Sequence, residues 1–129
     1  MGIFTHVVVG TSNVEAGRKF YDAVLETMGL KRVMNFDAAS LWSTGAEGSD
    51  LFMITKPGNG QPPTFANGGT ISFNAPSRAA VHKFHEVALA QGGKDEGAPG
   101  PRSFTPTAYA AYARDLDGNK IACYCFAPA

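Results

Sequence analysis

The sequence predicts an α+β fold: two tandem βαβββ modules forming a curved mixed sheet, with helices outside and an inner trough. Three observations predict it. The first half of the chain reappears, degraded, 64 positions later without a gap. Thr5-His6-Val7-Val8-Val9 faces Gly69-Thr70-Ile71-Ser72-Phe73. Ala16 faces Ala80, Lys19 faces Lys83, Phe20 faces Phe84, Leu25 faces Leu89 and Gly29 faces Gly93. Each half then reads as strand, helix and three strands. A stretch rich in Pro, Gly and Asn, 56–68, separates the halves. The modules are therefore 1–57 and 69–129, joined by a linker at 58–68. One such unit buries a single sheet face against its one helix. Two units side by side leave a trough between them, a natural place for a small ligand.

Ile3 to Val9 is apolar and β-branched, and reads as a strand. Asn13 is the N-cap of a helix through Thr27, with Ala16, Phe20, Val24 and Met28 as its buried stripe and Gly29 as its stop. Leu30 to Phe36, Ser40 to Ser43 and Leu51 to Thr55 are three strands. In the second half Thr70 to Asn74 is a strand, and Ser77 caps a helix that turns Val81, Phe84 and Ala88 inward and ends at Gly92-Gly93. Gly97 to Pro106 reads as a long loop around a short strand. Tyr109 to Arg114 and Lys120 to Phe126 form a hairpin, whose Asp117-Gly118 step supplies the positive φ of the turn.

Composition narrows the function. The 11 basic and 11 acidic residues cancel, so no basic footprint points to nucleic acid, and a neutral surface does little to oppose self-association. No segment reaches the roughly 20 apolar residues of a membrane span, and no basic, apolar leader opens the chain. Cys123 and Cys125 are i, i+2 on a strand. That is a poor span for a disulfide and too few ligands for zinc, so they are read as packed thiols in a reducing cytoplasm.

At this point the chain resembles the glyoxalase / bleomycin-resistance / dioxygenase group, also called the vicinal oxygen chelate superfamily. The resemblance rests on the doubled module, the opening Thr5-His6-Val7-Val8-Val9, the helix run Ala16-Gly17-Arg18-Lys19-Phe20-Tyr21 and Met28-Gly29-Leu30. Its most specific part is the closing Tyr112-Ala113-Arg114-Asp115-Leu116-Asp117-Gly118-Asn119-Lys120-Ile121, where Leu116 replaces the usual proline. It implies a homodimer and, in catalytic members, a divalent metal held in the trough by side chains of the first and last strands of each module. Position by position, His6 matches the first ligand, Thr70 stands where the second module carries His, Ala122 where its last strand carries Glu, and Phe52 is the match for the remaining one. One imidazole with a threonine, an alanine and a phenylalanine is not the set of about three ligands that a catalytic ion requires. No metal and no cofactor are expected.

Strand alternation assigns the trough lining once His6 points inward. Phe4 and Val8 join it, with Thr70, Ser72 and Asn74 by the repeat register, Phe52 and Ile54, and Ala122, Tyr124 and Phe126. The resemblance adds Ala110 and Tyr112. Ser72 and Asn74 extend from Thr70 as a polar ladder opposite the aromatics Phe52, Tyr112, Tyr124 and Trp42. The aromatics either fill the trough or wall a ligand site. His6 is either hydrogen-bonded structure or a general base or donor to a ligand. His82 and His85 read as a solvated helix flank. Asp115 and Asp117 read as turn residues that bond local backbone. Arg114 either clamps an anion at the rim or pairs with Asp115. The reading that follows is a small organic ligand bound without metal. An enzyme of lyase, isomerase or dioxygenase type, with His6 and a tyrosine as acid and base, is the alternative, and a ligand-free interaction domain is the third.

Overall fold

The computed structural model describes residues 3–46 and 50–128. The chain runs β1 (His6–Gly10), α1 (Val14–Glu26), β2 (Lys31–Asn35), β3 (Ala39–Ser43), β4 (Leu51–Thr55), β5 (Ile71–Asn74), α2 (Arg78–Ala90), β6 (Lys94–Pro101), β7 (Tyr109–Arg114) and β8 (Lys120–Cys125). The doubled βαβββ order is present. The strands form two four-stranded mixed sheets, ordered β1-β4-β3-β2 and β5-β8-β7-β6. In each sheet the first strand of the module lies parallel to the last and takes an edge (β1 on β4, β5 on β8).

Local chemistry sets the helix ends. Asn13 Oδ1 accepts the Ala16 N–H at 3.0 Å, and Ser77 Oγ accepts the Ala80 N–H at 3.1 Å, each satisfying an otherwise orphaned donor. Gly29, at φ 82°, turns the chain out of α1 so that Leu30 N–H reaches Leu25 O. Gly92, at φ 97°, does the same for α2, bringing Gly93 N–H to Ala88 O.

Both modules feed one core. Phe20, Tyr21, Val24 and Leu25 of α1 meet Val81, Phe84 and Ala88 of α2, and the helix-side faces of both sheets close over them. Phe52 on β4 touches Phe73 on β5, ring to ring at 5.2 Å, across the module boundary. Cys123 and Cys125 are free, buried thiols in this core, and burial pushes the Cys123 thiol up to about 12.

A polar knot ties the β7–β8 turn to the first module. Buried Asp115 accepts the Tyr21 hydroxyl at 2.6 Å, the Asn119 backbone and side-chain N–H groups at 2.9 Å and the Asp117 N–H. Asn119 Nδ2 also donates to Gly10 O at 2.9 Å, and Asp117 accepts both the Ser12 N–H and hydroxyl. Burial raises the pKa of the Asp115 carboxyl even against these bonds, and it raises that of the Tyr21 phenol further. Asp115 thus bonds backbone within the turn, as expected, and reaches Tyr21 of the first module as well, whereas the Asp117 carboxylate bonds Ser12 across the modules instead of turn backbone.

The long loop around a short strand expected at 97–106 is corrected: β6, the second strand of the second module, begins at Lys94 and runs eight residues to Pro101. It holds five register pairs with β7 only by breaking register between Asp95 and Gly97 and between Gly97 and Gly100. An edge strand tolerates Pro and Gly in this way because its outer donors need no ladder partner.

Gly93 sits where no side chain fits. A Cβ there would lie 2.7 Å from Arg114 O and 2.8 Å from Ala88 O, both backbone. Gly93→Ala is expected to cost about 2 kcal/mol or more, whereas Gly58→Ala, with open space around it, should stay near neutral; urea denaturation of both variants measures the difference.

Candidate functional site

Alternation divides the second sheet cleanly. Ile121, Cys123 and Cys125 enter the core, so Lys120, Ala122 and Tyr124 take the open face. The pairing registers then build three rows on that face. Arg114 lies beside Lys120. Tyr112, Ala122 and Ser72 form the next row, and Ala110, Tyr124 and Asn74 the one after it. Ala110 and Ala122 are fully covered, a small-residue floor between larger side chains, while Ser72 and Asn74 are exposed. Thr70 is exposed just before β5 begins. The structure thus brings together Ser72, Asn74, Tyr112, Arg114, Ala122 and Tyr124.

The tyrosines make the centre of this face. Tyr112 and Tyr124 meet edge to face, with centroids 5.8 Å apart, and their hydroxyls hydrogen-bond each other. Desolvation first, then the bond to Tyr124, pushes the Tyr112 phenol up to about 12. One hydroxyl of the pair donates and the other accepts, so the accepting phenol keeps a proton to offer a third group. Tyr124 stacks on Phe126 at 5.5 Å, and Phe104 approaches both rings.

Two cations flank Tyr112. Lys120 Nζ lies 5.1 Å and the Arg102 guanidinium carbon 5.6 Å from its ring centroid. Arg102 is held there by carbonyls: Nη1 donates to Gly100 O and Pro101 O, and Nη2 to Ala98 O. Gly97 permits the approach, since a Cβ on it would stand 3.2 Å from Arg102 Nη2 and 3.3 Å from Tyr112 Cδ1. Sequence reasoning missed Arg102, Lys120 and Phe104. Lys120 was within reach, because it shares its strand parity with Ala122 and Tyr124. Arg102 and Phe104 lie beyond an irregular strand that carries no periodic signal.

Three expected lining residues, Phe52, Ile54 and Trp42, turn the other way. Phe52 is packed against Tyr21 at 4.8 Å and is buried on the helix side, and Ile54 follows it. Trp42 is likewise buried, its indole N–H donating to Asp22 Oδ1 of α1 at 3.0 Å. The reason is register: Val7 and Val9 of β1 pair with Phe52 and Ile54 in a parallel ladder, and all four share the core face. The open face of β4 therefore belongs to Leu51, Met53 and Thr55, beside His6 and Val8. Phe4 lies ahead of β1 and is exposed. Arg114 also departs from its expected partner: it bonds Glu96 at 3.2 Å and Gly118 O at 3.0 Å, not Asp115.

His6 stands on the exposed face of β1, its Nδ1 at 3.0 Å from the Thr5 hydroxyl. Among the described residues, no hydrogen bond or ring contact links it to the second module. His82 bonds the Tyr109 hydroxyl at 2.6 Å, and His85 bonds Asp95 at 2.8 Å, holding that carboxyl below its usual range. These helix histidines are occupied by β7 and β6 of their own module.

A divalent ion does not fit this donor set. The residues at the four expected ligand positions are His6, Thr70, Ala122 and Phe52, and Phe52 faces the core. The open-face neighbours that replace it, Leu51 and Met53, bring no carboxylate or imidazole. Among the described residues no three His, Cys, Asp or Glu side chains gather closely enough to hold an ion. A single imidazole does not displace enough bound water to retain one.

Comparison with known proteins gives a consistent picture. The sequence model of the Glyoxalase/Bleomycin resistance protein/Dioxygenase superfamily matches residues 3–123. A glyoxalase/bleomycin resistance protein from Albidiferax ferrireducens is 38% identical, with 96% of this chain and 98% of that one covered and a TM-score of 0.87. A glyoxalase/bleomycin resistance protein/dioxygenase family enzyme from Burkholderia phytofirmans is 18% identical over 95% of this chain and 98% of that one, at a TM-score of 0.75. A lactoylglutathione lyase from Agrobacterium tumefaciens is 19% identical over 97% and 94%, at 0.67. The last two share the fold. No curated protein matches the sequence.

The Tyr112 phenol should remain protonated after exposed tyrosines have ionised. Its folded pKa, about 12, lies above the ordinary value near 10. Its contribution to stability is therefore present below pH ~10 and is lost as the pH climbs toward 12. Ultraviolet difference titration should show two late phenols, Tyr21 and Tyr112, of which only the Tyr112 transition moves earlier in Tyr124→Phe.

Proposed function

Because the chain belongs to the glyoxalase/bleomycin resistance protein/dioxygenase superfamily, we propose that it binds a small organic molecule on the open face of its second module, without a catalytic metal. The observation that carries this reading is the arrangement on β5, β8 and β7: exposed Ser72 and Asn74, two covered alanines, and the bonded Tyr112–Tyr124 pair. Neither the Ser72 hydroxyl nor the Asn74 amide has a hydrogen-bond partner in the chain among the described residues. Apolar walls with a few polar handles suit a small ligand better than they suit a packed interior.

A homodimer would close this face. Ligand sites are concave, and the face as one copy presents it is open. Val8 on β1 and Phe4 just ahead of it are exposed and apolar, and among the described residues β1 has no strand partner on its outer side. A zero net charge gives little repulsion between copies. His6 sits on the exposed side of that same strand. The reading places the protein in a reducing cytoplasm, which the two free thiols suit.

Acid–base catalysis by His6 and a tyrosine is supported less well. A phenol whose pKa is raised to about 12 is a donor at neutral pH and a poor base, and His6 makes no contact with it.

A ligand at a hundred times its Kd stabilises the fold by about 2.7 kcal/mol, which a thermal-shift screen of small organic molecules detects. Binders should stabilise the chain by the same amount in chelator-treated buffer and lose most of that effect in Ser72→Val and in Tyr124→Leu. Stabilisation that requires Mn, Fe, Ni or Zn, and that disappears in His6→Ala, would falsify the metal-free reading.

A further inference from the structure

We propose that the ligand of this face is a planar aromatic ring carrying a negatively charged group. The proposal rests on the reading of the face as a small-molecule site and specifies its chemistry.

The aromatic half follows from uncovered rings. Tyr124 and Phe126 lie nearly parallel, 19° apart, and Phe104 stands beside them with centroids at 6.5 and 6.3 Å. Phe104 is 76% exposed and Phe126 44%. These rings already stack on one another and leave faces free for a further flat ring, the geometry in which aromatic pairs gain beyond their buried area.

The anionic half follows from charge. Lys120 and Arg102 both stand over Tyr112. Among the described residues the Lys120 ammonium has no carboxylate partner. The carboxylate that does reach this face, Glu96, is bonded to Arg114. Three cations therefore meet one carboxylate here, on a chain whose total charge is zero. The tyrosine pair adds a neutral O–H donor beside them. A cationic ligand would meet two like charges at Tyr112, and an aliphatic acid would leave the ring platform unused.

Isothermal titration of the full chain with four probes tests this: naphthoate, naphthamide, naphthylmethylammonium and decalin carboxylate. Naphthoate should bind about tenfold more tightly than naphthamide, and the ammonium more weakly than either. The excess should shrink as salt is raised. It should fall toward parity in Lys120→Gln, return in Lys120→Arg, and be unchanged in Lys31→Gln on the far module. Phe104→Ala should weaken both naphthoate and naphthamide. Equal binding of acid and amide overturns the anionic half, and decalin carboxylate matching naphthoate overturns the aromatic half; either leaves the small-molecule reading standing. If none of the four probes binds while the thermal-shift screen finds other ligands, the proposal alone fails. If neither experiment finds a binder, the reading beneath it fails as well.

Discussion

The constraint on which the molecule depends is that each sheet has only one face to bury. α1 and α2 take the helix-side faces of both sheets into a single core, and Phe52 meets Phe73 there across the module boundary. With period-two alternation, committing Ile121, Cys123 and Cys125 to that core leaves Lys120, Ala122 and Tyr124 no choice of side. A slip of one residue would carry the thiols to the surface and Lys120 into the core, so the register is strongly held. The chemistry of the open face is thus a by-product of how the hidden face packs.

The polar knot at Asp115 gives this arrangement its second fixed point. A buried carboxylate is costly unless it is fully bonded, and this one is supplied by Tyr21 from the first module and Asn119 from its own turn. The bond from Asn119 to Gly10 O and the Ser12 contacts of Asp117 tie the same turn to the end of β1. The Asp-Leu-Asp-Gly-Asn run therefore joins the modules as well as reversing the chain. The β7–β8 hairpin, which carries both tyrosines of the candidate site, is held at its turn by groups from the other half of the molecule.

Much of the fold was legible because it is written in local signals. Asn13 and Ser77 cap the helices, Gly29 and Gly92 end them, and the gapless repeat supplies the module order. The lining of β5, β7 and β8 was legible by alternation once one residue of each strand was placed. Phe52, Ile54 and Trp42 face the core against the sequence expectation because a five-residue strand gives no sign of which parity meets the helix; their side is decided by Val7, Val9 and the Asp22 carboxylate. The sequence of β6 reads mainly as loop because Lys94–Pro101 holds no β-branched residue, and its strand character comes from pairing with β7. Arg102 went unseen for the same reason, since carbonyls of that irregular strand are what hold it over Tyr112.

Among the described residues position 6 lacks coordinating companions, and the proposal built on this is that this member of the superfamily works through rings, hydroxyls and an amide instead of an ion. Anomalous diffraction from crystals soaked in Mn or Zn tests it most directly. The account predicts no ion held at His6 by more than that one side chain. An ion there with three or more protein ligands, from one copy or shared between two, would contradict it.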